Sequence, residues 1–125
     1  MLKLLRIVVC APGILFTFIG LRWAIDPAGA AKGLDVPLLE GLARSSQIAD
    51  TGAFFLGMGL MILTGLLTAR KVWFHTPALL LAITALYRVL AWLLHDAAFA
   101  PQLIGVEVVI ATILFVAAQK LATKP

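Results

Sequence analysis

Four long apolar runs govern what this chain can fold into. They cover roughly residues 4–25, 47–69, 72–94 and 101–119, and a helix needs about 20 mostly apolar residues to cross a hydrocarbon core. Composition closes off the soluble alternative. Apolar residues make up 62% of the 125-residue chain and charged residues 13%, against about 45–50% and about 25% in soluble domains. A small globule leaves much of its surface in water, so this much apolar surface has to face lipid. The expected fold is all-α: an integral membrane, up-down four-helix bundle forming a single domain over 1–125, with a short interfacial helix in the first outer loop.

Lys and Arg set the orientation. Lys3 and Arg6 flank the start of the first run, Arg70 and Lys71 form the connection between the second and third, and Lys120 and Lys124 follow the fourth. If the spans alternate, all three groups fall on one side. The other side carries Lys32 and Arg44 offset by Asp26, Asp35 and Glu40, and then a turn with His95 and Asp96 but no Lys or Arg. The positive-inside rule therefore predicts a multi-pass protein with both termini cytoplasmic. The small residues Ala28-Gly29-Ala30 resemble a signal-peptidase site. The preceding apolar run is longer than a signal core and is followed by Arg22, Trp23 and Asp26, so it is read as an uncleaved first span.

The long outer loop carries its own helix signals. Asp35 is placed to cap a short helix with Pro37 near its first turn. Leu38, Leu39 and Leu42 would share one face, and Glu40 and Arg44 would pair four residues apart. Within the spans, Ala53, Gly57 and Gly65 follow a four-residue spacing with Met61 between, which suits close helix approach in lipid; Gly13 and Gly20, seven apart, suit the same purpose in the first span. Pro12 and Pro77 predict modest bends.

Charges at membrane depth each need a reason. Arg88 lies six residues before the outer end of the third span and Glu107 six residues after the outer start of the fourth. At about 1.5 Å per residue both sit roughly 9 Å below the boundary, and the connection between these spans is short, so an Arg88–Glu107 ion pair is expected. Arg22 at the end of the first span and Asp50 in the second, beside Gln47 and Thr51, predict a shallower second pair. Arg88, Trp92 and His95 follow one helical face, with Tyr87 next to it. The candidate ligand-binding residues are thus Arg88, Glu107, Asp50, Arg22, Tyr87, Trp92 and His95. They are consistent with buried struts or with a cavity open to the outside that holds a quinone, a lipid or a small anion.

Other chemistries fit less well. The net charge of +4 is placed at the ends of apolar runs, as topology signals and anionic-lipid contacts; no basic stripe or aromatic platform points to nucleic acid. The single Cys10 cannot form an internal disulfide or a CxxC redox pair. His75 and His95 stand about 30 Å apart on one helix, too far to share a haem. His95, Asp96 and Asp50 lack a metal-ligand spacing, and no phosphate loop, nucleophile elbow or zinc-helix motif is present. No cofactor is evident beyond a possible quinone or lipid. The expected partners are the bilayer and either another membrane subunit or a second copy.

The runs YRVLAWLLHD (87–96) and LIGVEVV (103–109), with IADTGAFFLGMGLMILTGL (48–66), resemble the spans of a domain-of-unknown-function family of small bacterial four-helix membrane proteins. That family pairs an Arg in its third helix with a Glu in its fourth, here Arg88 and Glu107. Its Tyr-Gly-Gly opening to the second helix is replaced by Ala49-Asp50-Thr51-Gly52. More distantly the chain resembles the DoxX-like superfamily, some members of which are associated with membrane oxidoreductase complexes and quinones. The polar cluster leads to a lipid- or quinone-binding module or accessory subunit, not independently enzymatic, as the expected function; the resemblance to the nearer family adds no activity. The alternatives are a quinone-linked oxidoreductase subunit working with a cofactor-bearing partner, and a small oligomeric transporter.

Overall fold

The computed structural model describes residues 1–125. It is all-helical, with α1 (Leu2–Ile25), α2 (Pro27–Gly33), α3 (Gly41–Thr68), α4 (Val72–Leu94) and α5 (Pro101–Lys120). The four long helices are each long and apolar enough to cross a membrane, and they pack as one bundle; the protein is a small multi-pass membrane protein. Helices are the economical choice in lipid because each satisfies its backbone N–H and C=O groups internally. Both chain termini and the α3–α4 turn lie at one end of the bundle, here called the terminal end. The connection holding α2 and the α4–α5 turn lie at the other, the loop end.

Packing follows a seven-residue repeat. Val9, Phe16 and Trp23 in α1 are buried, as are Phe74 and Leu81 in α4, Leu114 within α5 and Leu121 just after it. A seven-residue step keeps a stripe on one face over successive turns. The main apolar core joins Val9, Phe16, Met58, Ile62, Phe74, Leu81 and Leu114 and fills the terminal end and middle of the bundle. A separate small cluster of Trp23, Ala30 and Ala31, with Ile19, Leu34, Leu38 and Ile48 against it, closes α1 onto α2 and α3 at the loop end.

The tightest seam runs between α1 and α3. A Cβ on Gly20 would stand 2.6 Å from Leu56 Cα, and one on Gly59 would stand 2.8 Å from the Gly13 carbonyl oxygen and meet Thr17 as well. The interlocking glycines are therefore Gly13 and Gly20 on α1 with Gly52 and Gly59 on α3, seven apart in each helix. The four-residue set is corrected. Ala53 is exposed and Gly57 has open space around it, while Gly65 meets Phe74 of α4.

The first connection also departs from expectation. Its helix is Pro27–Gly33, with Pro27 in the first turn and the Asp26 carboxylate accepting from the Gly29 N–H at 3.1 Å. The helix expected after Asp35, through Arg44, does not form as a separate element: 36–40 is not helical and Leu42 and Arg44 belong to the first turns of α3. Asp35 takes a left-handed φ of 57°, Gln47 holds the loop through Leu39 N–H and the Pro37 carbonyl, and α3 begins at Gly41. Arg44 donates to the Leu39 carbonyl at 2.6 Å rather than to Glu40. At the terminal end Ala69 caps α3 at φ 56°, and its carbonyl accepts from the N–H groups of Thr123 and Lys124, pinning the segment after α5 to the α3–α4 turn.

If the glycine seam sets the bundle, Gly59→Val destabilises the protein by about 1–3 kcal/mol, whereas Gly57→Ala leaves it as stable or slightly more so. Thermal unfolding in detergent compares the two; equal effects would contradict the seam.

Candidate functional site

The site grows from two heptad stripes that change chemistry at the same level. Phe74 and Leu81 lead at the next step to Arg88, and Leu121 and Leu114 lead to Glu107. Both charged residues therefore occupy core-facing positions on neighbouring antiparallel helices. The Arg88 Nε–H donates to both carboxylate oxygens of Glu107 at 2.9 Å. This is the ion pair expected from their matched depth. Pairing is required here, since an isolated charge in a medium without water costs several kcal/mol.

The two partners differ in their surroundings. The Glu107 side chain is 11% exposed and the Arg88 side chain 36%. A guanidinium has five N–H donors; one is used, and Nη1 and Nη2 make no hydrogen bond. The apolar core stops just below: Ala85, one turn toward the terminal end, is the last buried residue of α4, and Glu107 is the first of α5. Beyond that level α4 and α5 hold no buried residue, only half-buried ones such as Val89, Ala91 and Ile104, and the only other buried apolar cluster belongs to α1 and α2. Arg88 thus stands on the core stripe at the level where the buried core of α4 and α5 ends, with its guanidinium partly exposed.

The other candidates are placed as follows. Arg22 does not pair with Asp50. It reaches Asp26, four residues on, at 3.7 Å, and its guanidinium lies along α2, where a Cβ on Gly29 would come within 2.6 Å of Nη2. The local partner on the same face needs no second helix to be positioned and wins. Asp50 is exposed on α3 without an ion-pair partner. Tyr87 is 66% exposed and Trp92 42%, and Trp92 packs on Phe99 of the α4–α5 turn with ring centres 4.5 Å apart. His95 ends α4, its backbone N–H bonded to the Ala91 carbonyl and its side chain exposed. Asp96 follows with a φ of 56°. No three His, Cys, Asp or Glu side chains converge. Of the seven candidates the structure brings together Arg88 and Glu107.

Trp23 was not singled out by its sequence context. It is 1% exposed, and its indole N–H has no acceptor because the surrounding side chains are apolar. Its bulk is what α2 covers: a Cβ on Gly52 of α3 would meet Trp23 Cβ at 3.0 Å.

Fold and site together define a small multi-pass membrane protein with one charged pair set into its core stripe. No family model matches the chain, and no curated protein or solved structure matches it.

Breaking the pair one-sidedly leaves a charge uncompensated. Glu107→Gln is expected to cost about 2 kcal/mol, less than the ~3–5 kcal/mol of a fully buried pair because the guanidinium is over a third exposed. Arg88→Met combined with Glu107→Met should recover most of that loss. Unfolding of the three proteins in mixed detergent measures it, and a Glu107→Gln protein as stable as the parent would show that the pair does no structural work.

Proposed function

We propose that this protein is a membrane binding module, acting alone or as an accessory subunit, that holds the polar head of an amphipathic molecule against Arg88. The observation that carries this reading is the position of Arg88: on the core face of α4, paired through Nε alone, more than a third exposed. A closed strut would engage or bury the whole guanidinium. Four free N–H donors suit an oxygen-rich head, such as a quinone carbonyl or an anionic lipid headgroup. The apolar loop-end faces of α4 and α5 suit a hydrocarbon tail. Glu107 orients the guanidinium and balances its charge, so the pair would accept either a neutral carbonyl or an anion. Tyr87 and Trp92 are close in sequence to Arg88 but directed outward, which suits contact with lipid more than with the ligand.

Both termini are proposed to be cytoplasmic, in a bacterial inner membrane. Six of the ten Lys and Arg and none of the six Asp and Glu belong to the terminal end, which supports this side. A kinship with the domain-of-unknown-function family of four-helix membrane proteins is also a proposal, supported by the Arg88–Glu107 pair between the last two spans; a more distant one with the DoxX-like superfamily is supported by the four-span bundle alone.

The test is native mass spectrometry of protein extracted gently from its own membrane, with lipid and quinone analysis of what accompanies it. One stoichiometric molecule, retained by the parent and lost in Arg88→Ala, is the expected result. A bare protein, or the same molecule retained by Arg88→Ala, would return the pair to architecture.

A further inference from the structure

A second feature lies between α4 and α5 toward the other end of the bundle. An open groove of about 590 Å³ runs between these helices, with Ala78, Ala82, Val108 and Ala111 along its body and His75 and Phe115 toward the terminal end. The His75 and Phe115 rings stack across it at 5.9 Å. Its body is apolar; the one hydroxyl there, on Thr112, is already committed to the Val108 carbonyl at 2.8 Å. Its mouth is polar. Lys71 lies one turn before His75 on the same face, its carbonyl accepting the His75 N–H at 2.9 Å, and Gln119 lies one turn beyond Phe115. The lining itself is apolar apart from His75 and Thr112, and the groove runs toward the end of the bundle that carries six cationic side chains and no acidic one.

We propose that this groove is a binding site for an anionic phospholipid of the leaflet at the terminal end. One acyl chain lies along Ala78, Ala82, Val108 and Ala111, and the phosphate sits between Lys71 and His75 within reach of Gln119. Charge selects the head: Lys71 and its neighbour Arg70 attract an anion at a surface that carries no Asp or Glu, beside the Pro125 oxygen that accepts from the Val72 N–H at 3.1 Å, and each such cation near an anionic headgroup favours binding measurably. Shape selects the tail, since alanines line the floor where Leu and Phe side chains stand on either side, so a chain can lie in contact with both helix backbones. This site is independent of the Arg88 site. It involves other faces, the other end of the bundle and a headgroup held by different cations, so either can fail without the other.

The experiment titrates purified full-length protein with dioleoyl phosphatidylglycerol and with dioleoyl phosphatidylcholine and counts retained lipids by native mass spectrometry. The parent is expected to retain one phosphatidylglycerol in preference to phosphatidylcholine. Lys71→Gln combined with His75→Gln should lower that preference by about fivefold or more. Ala82→Phe, which fills the groove and keeps every charge, should abolish it. Lys3→Gln with Arg6→Gln removes more formal charge from the same end, two cations against one, but outside the groove, and should leave it intact. Thermal unfolding identifies any variant that fails to fold; Ala111→Leu then replaces Ala82→Phe as the groove-filling variant. Equal retention of the two lipids by the parent, or undiminished phosphatidylglycerol retention by a folded groove-filled variant, would overturn the proposal. So would a parent dimer that groove filling splits into monomers, which would give the groove to a second copy of the chain.

Discussion

Helices already in lipid gain little from hiding apolar side chains from one another, because the tails they leave are equally apolar. What holds such a bundle is surface fit, and here the fit is set by the α1–α3 seam. Gly13 and Gly20 face Gly52 and Gly59, and the missing Cβ atoms let one backbone approach the other until Gly20 touches Leu56 and Gly59 touches Thr17. Everything else in the arrangement is placed relative to that contact. The seven-residue spacing of the seam recurs in the stripes Val9–Phe16–Trp23, Phe74–Leu81–Arg88 and Glu107–Leu114–Leu121, so the four helices share one packing period.

That period gives Arg88 and Glu107 their meaning. They stand at positions where the same stripes carry Leu and Phe elsewhere, and an apolar pair there would have continued the core to the loop end. Substituting a charged pair ends the core instead. The carboxylate is nearly buried and the guanidinium is not, which is the asymmetry expected of a cation fixed by its partner and presented to something else. At the loop end α1, α2 and α3 close around Trp23, leaving α4 and α5 without a matching apolar layer. Architecture and binding are thus not rival accounts of the same residues: the pair that positions α4 against α5 also leaves donors free.

Hydropathy and charge showed the number of spans, the ends of α4 and α5, and the matched depth of Arg88 and Glu107. These properties are dictated by the bilayer, which acts on each helix separately. What depended on helix partners was not legible. Ala53–Gly57 and Gly52–Gly59 are both plausible small-residue seams in isolation; the Gly13–Gly20 spacing of the partner helix decides between them. Asp26-Pro27 and Asp35-x-Pro37 are both helix starts, and the first prevails because Arg22 lies along Gly29 and pairs with Asp26. The first six residues of α3, 41–46, fell outside the expected span, with Leu42 and Arg44 given to a separate loop helix, because hydropathy reports the membrane and not the helix: Arg44, Ser45 and Ser46 extend α3 beyond its apolar stretch. Asp50 remained available as a partner for Arg22 only as long as the nearer carboxylate of Asp26 was taken to belong to a loop.

The central claim is that Arg88 faces an interior open from the loop end. The most direct test is the reactivity of Arg88→Cys, in a Cys10→Ser background, toward a membrane-impermeant cationic thiosulfonate added outside intact cells, with Ser46→Cys as the loop-end reference. The account predicts that both react, that Arg88→Cys reacts at a rate within about tenfold of the reference because a thiol reacts as its hydrated thiolate, and that the cationic adduct restores stability lost with the arginine. Reaction at Ser46→Cys with none at Arg88→Cys until the bundle is unfolded would contradict it, and would make the pair a sealed strut.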